Sequence, residues 1–150
     1  MASDARLSAG DRVISECKKG LVVLLGIERS DTKNTLDRMI DKILKMRLFP
    51  DENGKIGLSA LTLGADILVV SNFTLCATPS SRRPDFQNAM PGKEAKALYE
   101  LFLEKMKQKA SEWQTQSAPV RVFPGAFGED MTIRTTLSGP ITVVLDSETF

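Results

Sequence analysis

The chain has 150 residues, 42% of them hydrophobic, which suits one ordinary domain with a buried core; 20 basic and 19 acidic residues leave a net charge of +1. That balance gives no global electrostatic signature of nucleic-acid binding, so any such contact has to come from a local patch. The chain contains no histidine, which removes the commonest general base near neutral pH, the usual zinc ligand and every Ser-His-Asp or Cys-His arrangement.

Cys17 and Cys76 stand far apart in no C-x-x-C pattern, so neither a zinc site nor a disulfide framework is expected and a reducing cytosol is the expected home. No run approaches the roughly 18 apolar residues of a membrane span, and Met1-Ala2-Ser3-Asp4-Ala5-Arg6 lacks the apolar region of a secretion signal. A cytoplasmic protein without membrane, metal or cofactor is the expectation.

In chain order, residues 5–16 read as a hairpin turning at Ala9-Gly10-Asp11, and Leu21 to Ile27 as a central strand covered on both faces. Ser30-Asp31-Thr32 supplies N-cap chemistry for a first helix whose stripe is Leu36, Met39, Ile40, Ile43 and Leu44, with Asp37, Arg38, Asp41, Lys42 and Lys45 facing out. Arg47-Leu48-Phe49 predicts a short strand, closed by the turn Pro50 to Gly54. Residues 56–63 fit helix and strand alike, and Ile67 to Ser71 reads as a buried strand.

The polar stretch from Thr78 to Phe86, bracketed by Pro79 and Pro84, reads as a loop. A second helix opens at Pro91-Gly92 and buries Ala95, Leu98, Tyr99, Phe102, Leu103 and Met106. Ser111 to Ser117 is a predicted polar connector, Val120 to Phe123 a strand and Pro124 to Gly128 a tight loop. The last two strands are Met131 to Thr135 and Ile141 to Leu145, hinged at Ser138-Gly139-Pro140. The fold class expected is α/β, a single domain with a mixed or antiparallel β-sheet, or open barrel, and two amphipathic helices packed on it.

The candidate site lies where the apolar run Leu68-Val69-Val70 breaks into Ser71-Asn72-Phe73-Thr74, with Leu137 to Thr142 as its companion. Ser71 and Thr74 are poor nucleophiles without an activating base; they cap a strand end, or the backbone N–H groups freed there act as an oxyanion hole. Gly139-Pro140 is a plain turn or, if cis, a rigid pair of acceptors. Arg82 and Arg83 are solvated or phosphate-facing. Phe86 and Phe127 are core anchors or base-stacking platforms.

Together these residues resemble the D-aminoacyl-tRNA deacylases. The family pattern that opens Ser-Gln and continues to a Thr is similar to Ser71-Asn72-Phe73-Thr74, and Asn-x-Gly-Pro-x-Thr is similar to Leu137-Ser138-Gly139-Pro140-Ile141-Thr142. Supporting stretches are Gly20 to Gly26, Asp51 to Lys55, Arg83 to Phe86, and Phe127-Gly128 followed by Met131. The resemblance places the deacylase-like domain at 5–147, with 1–4 and 148–150 as tails.

It implies hydrolysis of D-aminoacyl-tRNA, and of glycine mischarged on tRNA, as translation quality control assisted by the terminal ribose 2′-OH, which needs no imidazole. Ser71, Phe73 and Thr74 would then be catalytic, with Phe73 and Thr74 giving N–H donors. Asn72, Gly139, Pro140, Thr142, Phe127 and Met131 would form the substrate pocket and chiral filter, and Arg82 and Arg83 would meet tRNA phosphates. The implied partners are the aminoacyl-tRNA acceptor end and a second copy, with Gly139-Pro140 reaching into its pocket. The alternative is a catalytically weak or inactive tRNA-end or nucleotide-binding module of the same fold. Asn72 replaces the motif glutamine and Leu137 the motif asparagine, and family members begin with a strand of the type Met-Arg-Ala-Val-Val-Gln-Arg-Val, which this chain starts just after. The resemblance therefore implies an unpaired sheet edge.

Overall fold

The computed structural model describes residues 1–78, 82–113 and 118–150. Strands β1 (Ala2–Ala9) and β2 (Arg12–Cys17) form the predicted hairpin, with a register shift after Leu7. β1 begins inside the stretch read as a tail. Strands β3 (Gly20–Leu25) and β6 (Asp66–Ser71) run parallel, so the chain between them must cross over. That crossover holds helix α1 (Lys33–Lys45) and an antiparallel pair, β4 (Arg47–Pro50) with β5 (Ile56–Ser59). The ambiguous run 56–63 proves to be both: β5 passes into a single turn, α2 (Ala60–Leu63), capped by the Ser59 side chain.

A second crossover, helix α3 (Gly92–Glu112), leads to β7 (Val122–Pro124), parallel to β6. The sheet order is β2-β1-β3-β6-β7, with β8 (Thr132–Leu137) on the other edge of β1. The structure is thus a mixed, nearly closed sheet with helices packed on it, as expected.

β6 is organised by strand alternation. Ile67 and Val69 enter the main core with Leu36, Ile40, Phe102 and Met106 of the helices, while Leu68 and Val70 enter a smaller core with Ala5, Leu7 and Cys17. Each such side chain fully buried is worth roughly 1.5–3 kcal/mol. β3 sits so close to β6 that a Cβ at Gly20 would run into the Asp66 backbone. At the same end, the buried Asp66 carboxylate takes both arms of Arg121 at 2.8 Å and the Lys18 N–H at 2.7 Å.

Four expectations are corrected. Asp37 and Asp41 face out only in part, 35% and 40% exposed: Lys105 of α3 grips Asp37 at 2.8 Å and Lys109 grips Asp41 at 2.6 Å, because the charged edge of one helix lies against that of the other. α3 continues through Glu112 because Ala110 extends its buried stripe and Trp113 lies under Lys45, 3.8 Å from the ring centroid; the rest of the predicted connector falls mainly on 114–117, outside the described residues. The strand predicted over Val120 to Phe123 begins at Val122. Ile141 to Leu145 forms no strand: the chain turns away from the β8 ladder through Ser138-Gly139-Pro140, and no ladder takes up the segment beyond.

Two outcomes follow for stability. Asp66→Asn, which cannot accept from both guanidinium arms and from Lys18, loses about 1.5–3 kcal/mol in urea unfolding. The Asp37 carboxyl lies below its ordinary 3.8, chiefly because Lys105 donates to it. A depressed carboxylate stabilises the fold above its unfolded value and loses that contribution as pH falls. Asp37→Asn therefore shows a shallower fall in melting temperature between about pH 6 and pH 3 than the parent.

Candidate functional site

β6 ends at Ser71, opposite Leu25, and the Asn72 N–H donates to the Leu25 carbonyl at 2.8 Å. The chain then turns into one 3-10 helical turn, Phe73–Cys76. The Asn72 Oδ1 caps this turn, accepting from the Thr74 N–H at 3.3 Å and from the Thr74 hydroxyl at 2.5 Å. Of the two backbone donors expected here, Phe73 keeps its N–H open and Thr74 has its N–H engaged by Asn72.

Ser71 and Thr74 have no ionisable partner that could activate them, and among the described residues no group of His, Cys, Asp and Glu could hold a metal ion. Cys76 is buried and its thiol is pushed up by that burial, so it is not a reactive nucleophile.

The apolar surface of the site is aromatic. The Phe73 side chain is 60% exposed and meets the half-buried Phe86 edge-on at 5.0 Å between ring centroids. Phe86 is positioned by the bridge between Thr78 and Asp85 and by the Asp85 carboxylate, which accepts the Gln87 N–H at 2.9 Å. Arg82 and Arg83 lie exposed on the same loop, whose residues 79–81 are outside the described residues.

The Phe127 ring packs on Tyr99 at 5.5 Å and lies against the main core. Met131 packs against the smaller core, its sulfur 3.3 Å from the Ala126 N–H. Both hold the Gly125–Gly128 loop onto β6. Tyr99 completes that hold, donating its hydroxyl to the Val69 carbonyl at 2.8 Å and accepting the Gly125 N–H at 2.8 Å. In sequence Tyr99 is only one residue of a helix stripe; nothing local marks its hydroxyl as the joint. The Asn72 cap did have a signal, an Asx residue followed two positions later by its N–H partner.

Gly139 has φ +108, open to glycine alone without strain, and Gly139-Pro140 is cis. Both residues are exposed, and within one chain no hydrogen bond or ring contact among the described residues joins them to Ser71–Thr74. Thr142 lies farther on, lining a groove whose other wall includes Leu75.

The sequence profile of the family described as D-Tyr-tRNA(Tyr) deacylase matches residues 2–146. The chain belongs to that family. It is 40% identical over 146 residues to a D-aminoacyl-tRNA deacylase of Clostridioides difficile strain 630, covering 97% of this chain and 92% of the relative. A D-aminoacyl-tRNA deacylase of Acinetobacter baumannii is 42% identical, with 97% and 93% covered.

The fold is similar to that of a solved structure described as c-Myc DNA Unwinding Element Binding Protein, with TM-score 0.85, 34% identity and 97% and 93% of the two chains covered. A probable eukaryotic D-amino acid tRNA deacylase shares the fold at TM-score 0.75 and 16% identity, with 93% and 91% covered. No helix among the described residues is long and apolar enough to cross a membrane.

For this deacylase-family site, Asn72→Ala removes the cap from the 3-10 turn at a cost of about 1 kcal/mol. Amide exchange at Thr74 accelerates in that variant; an unchanged rate shows that the cap is not held in solution.

Proposed function

We propose that the chain hydrolyses the ester linking a D-amino acid, or glycine, to the tRNA 3′ end, and so removes mischarged residues before translation uses them. The observation that carries this reading is a strand end offering an open Phe73 N–H and an exposed ring pair, Phe73 with Phe86, while no base attends the hydroxyls of Ser71 or Thr74. Such a site suits an RNA end that brings its own hydroxyl. The terminal adenine rests on the Phe73 and Phe86 rings. Water adds to the ester carbonyl with the ribose 2′-OH assisting, and the bond to the 3′ oxygen breaks. The developing oxyanion accepts from Phe73 N–H, and from Thr74 N–H once the Asn72 amide turns aside, each donor being worth roughly 2.7–4 kcal/mol.

The chiral filter is assigned to a homodimer, in which the exposed cis Gly139-Pro140 loop enters the partner's site together with Thr142. Its exposure at the surface of the chain supports that reading. A pocket that accepts many D side chains discriminates by excluding the L side chain, and glycine passes the same test. Arg82 and Arg83, on the loop that carries Phe86, are assigned to acceptor-end phosphates. A substrate of this kind assigns the protein to the cytoplasm.

The expected result is release of D-tyrosine from D-tyrosyl-tRNA far above background and background release from L-tyrosyl-tRNA. Binding of the acceptor end with background release from both would make the chain a binding module of the same fold. Thr74→Ala loses less than about tenfold, whereas a 2′-deoxy terminal adenosine loses about 10²–10⁴-fold. The reverse ranking points to hydroxyl nucleophilic catalysis.

A further inference from the structure

The sheet path runs from β2 to β7, and among the described residues no ladder joins those two strands to each other. A side chain joins them instead. Ser15 of β2 is buried, and its hydroxyl donates at 2.6 Å to the carbonyl of Pro124, the last residue of β7.

β7 has three residues and a ladder only with β6, so backbone pairing alone holds its end lightly. A second hydroxyl grips it from another side. Tyr99 of α3, also buried, accepts the N–H of the next residue, Gly125, at 2.8 Å and donates to the Val69 carbonyl of β6 at 2.8 Å. Burial pushes the Tyr99 phenol up, so the hydroxyl keeps the proton that it donates. The two consecutive residues at which β7 becomes loop are thus fixed by buried hydroxyls from two different elements. Arg12 of β2 also reaches this region, pairing with Glu129 at 2.7 Å, but both side chains are exposed and such a pair contributes little.

The place of this clamp gives it a function. β6 and β7 run parallel with Val69 opposite Pro124, so the chain leaves both strands at the same end of the sheet, where open α/β sheets seat their ligands. The 3-10 turn that follows Ser71 and the loop that follows Pro124 emerge side by side.

We propose that Ser15 and Tyr99 are positioning residues of the site: their hydroxyls close the seam between β2 and β7 and hold the Gly125–Gly128 loop as a fixed wall beside the 3-10 turn. The inference deepens the acceptor-end reading and rests on it. A site that accepts many D side chains gains nothing from a wall fitted to one of them. A rigid wall therefore serves what all the substrates share, the terminal ribose and its ester. Misplacing such a group by roughly 1 Å costs up to about 10²-fold.

The test measures binding of two uncleavable probes, 3′-amino-3′-deoxyadenosine carrying D-tyrosine or glycine in amide linkage. Each is titrated into the full chain and into Ser15→Ala, Tyr99→Phe and Arg12→Ala. Tyr99→Phe keeps the ring that packs on Phe127 and leaves the Gly125 N–H its bond to the Val69 carbonyl, so the fold survives the change. The expected result is a Kd raised about tenfold for both probes in Ser15→Ala and Tyr99→Phe, and unchanged in Arg12→Ala. Amide exchange accelerates at residues 125–127 in the first two variants and stays as it was in α1. Unchanged affinity in either hydroxyl variant overturns the assignment of that residue, whose bond then serves stability alone. A loss confined to the D-tyrosyl probe overturns the assigned role, because the wall then reads the side chain. An equal loss in Arg12→Ala shifts the hold to the exposed pair and overturns the clamp. A full chain that binds neither probe defeats the acceptor-end reading and this inference with it, whereas tight binding by parent and variants alike defeats this inference only.

Discussion

The parallel pairing of β3 with β6, unbroken from Gly20 and Asp66 to Leu25 and Ser71, is the constraint on which the remaining structure depends. Parallel neighbours cannot be joined by a tight turn, so α1 and the β4-β5 pair must cross the sheet, and α3 does the same between β6 and β7. Those crossovers supply the apolar cover that β6 needs on one face, while the β1-β2 hairpin covers the other. Removing water from both faces is what makes β6 stiff, and a stiff strand end is what fixes Ser71, Asn72 and Phe73 relative to the sheet.

The chemistry of the site follows from what it lacks and from what the backbone offers instead. Without histidine, and with Ser71 and Thr74 attended by no ionisable group, side-chain nucleophilic catalysis has no proton acceptor. A 3-10 turn at a strand end nonetheless presents N–H groups at no cost in titration. Asn72 modulates that offer: one methylene shorter than glutamine, its amide folds back on Thr74 and holds both its N–H and its hydroxyl.

Much of the fold was legible. Helix stripes at 3.6-residue spacing and uninterrupted apolar runs marked α1, α3, β3 and β6, since burial acts on period before it acts on detail. The errors fall where a partner decides the outcome. Ile141 to Leu145 has the composition of a strand and joins no ladder. Asp37 and Asp41 look solvent-facing on one helix and become ion-pair partners only because a second helix lies alongside. Phe127, weighed as a stacking platform or an anchor, packs on Tyr99 and is half-buried against the main core.

The sequence by itself determined which segments are apolar enough to be buried, that no imidazole chemistry is available, and the two motifs that carry the family resemblance. Only the tertiary structure decided that Tyr99 ties the Gly125 loop to β6, that Asn72 engages Thr74, and that Gly139-Pro140 is cis on an exposed turn. The reason is physical: period and propensity act between residues near in sequence, whereas hydrogen-bond partners, open edges and shared charge exist only once distant segments are brought side by side.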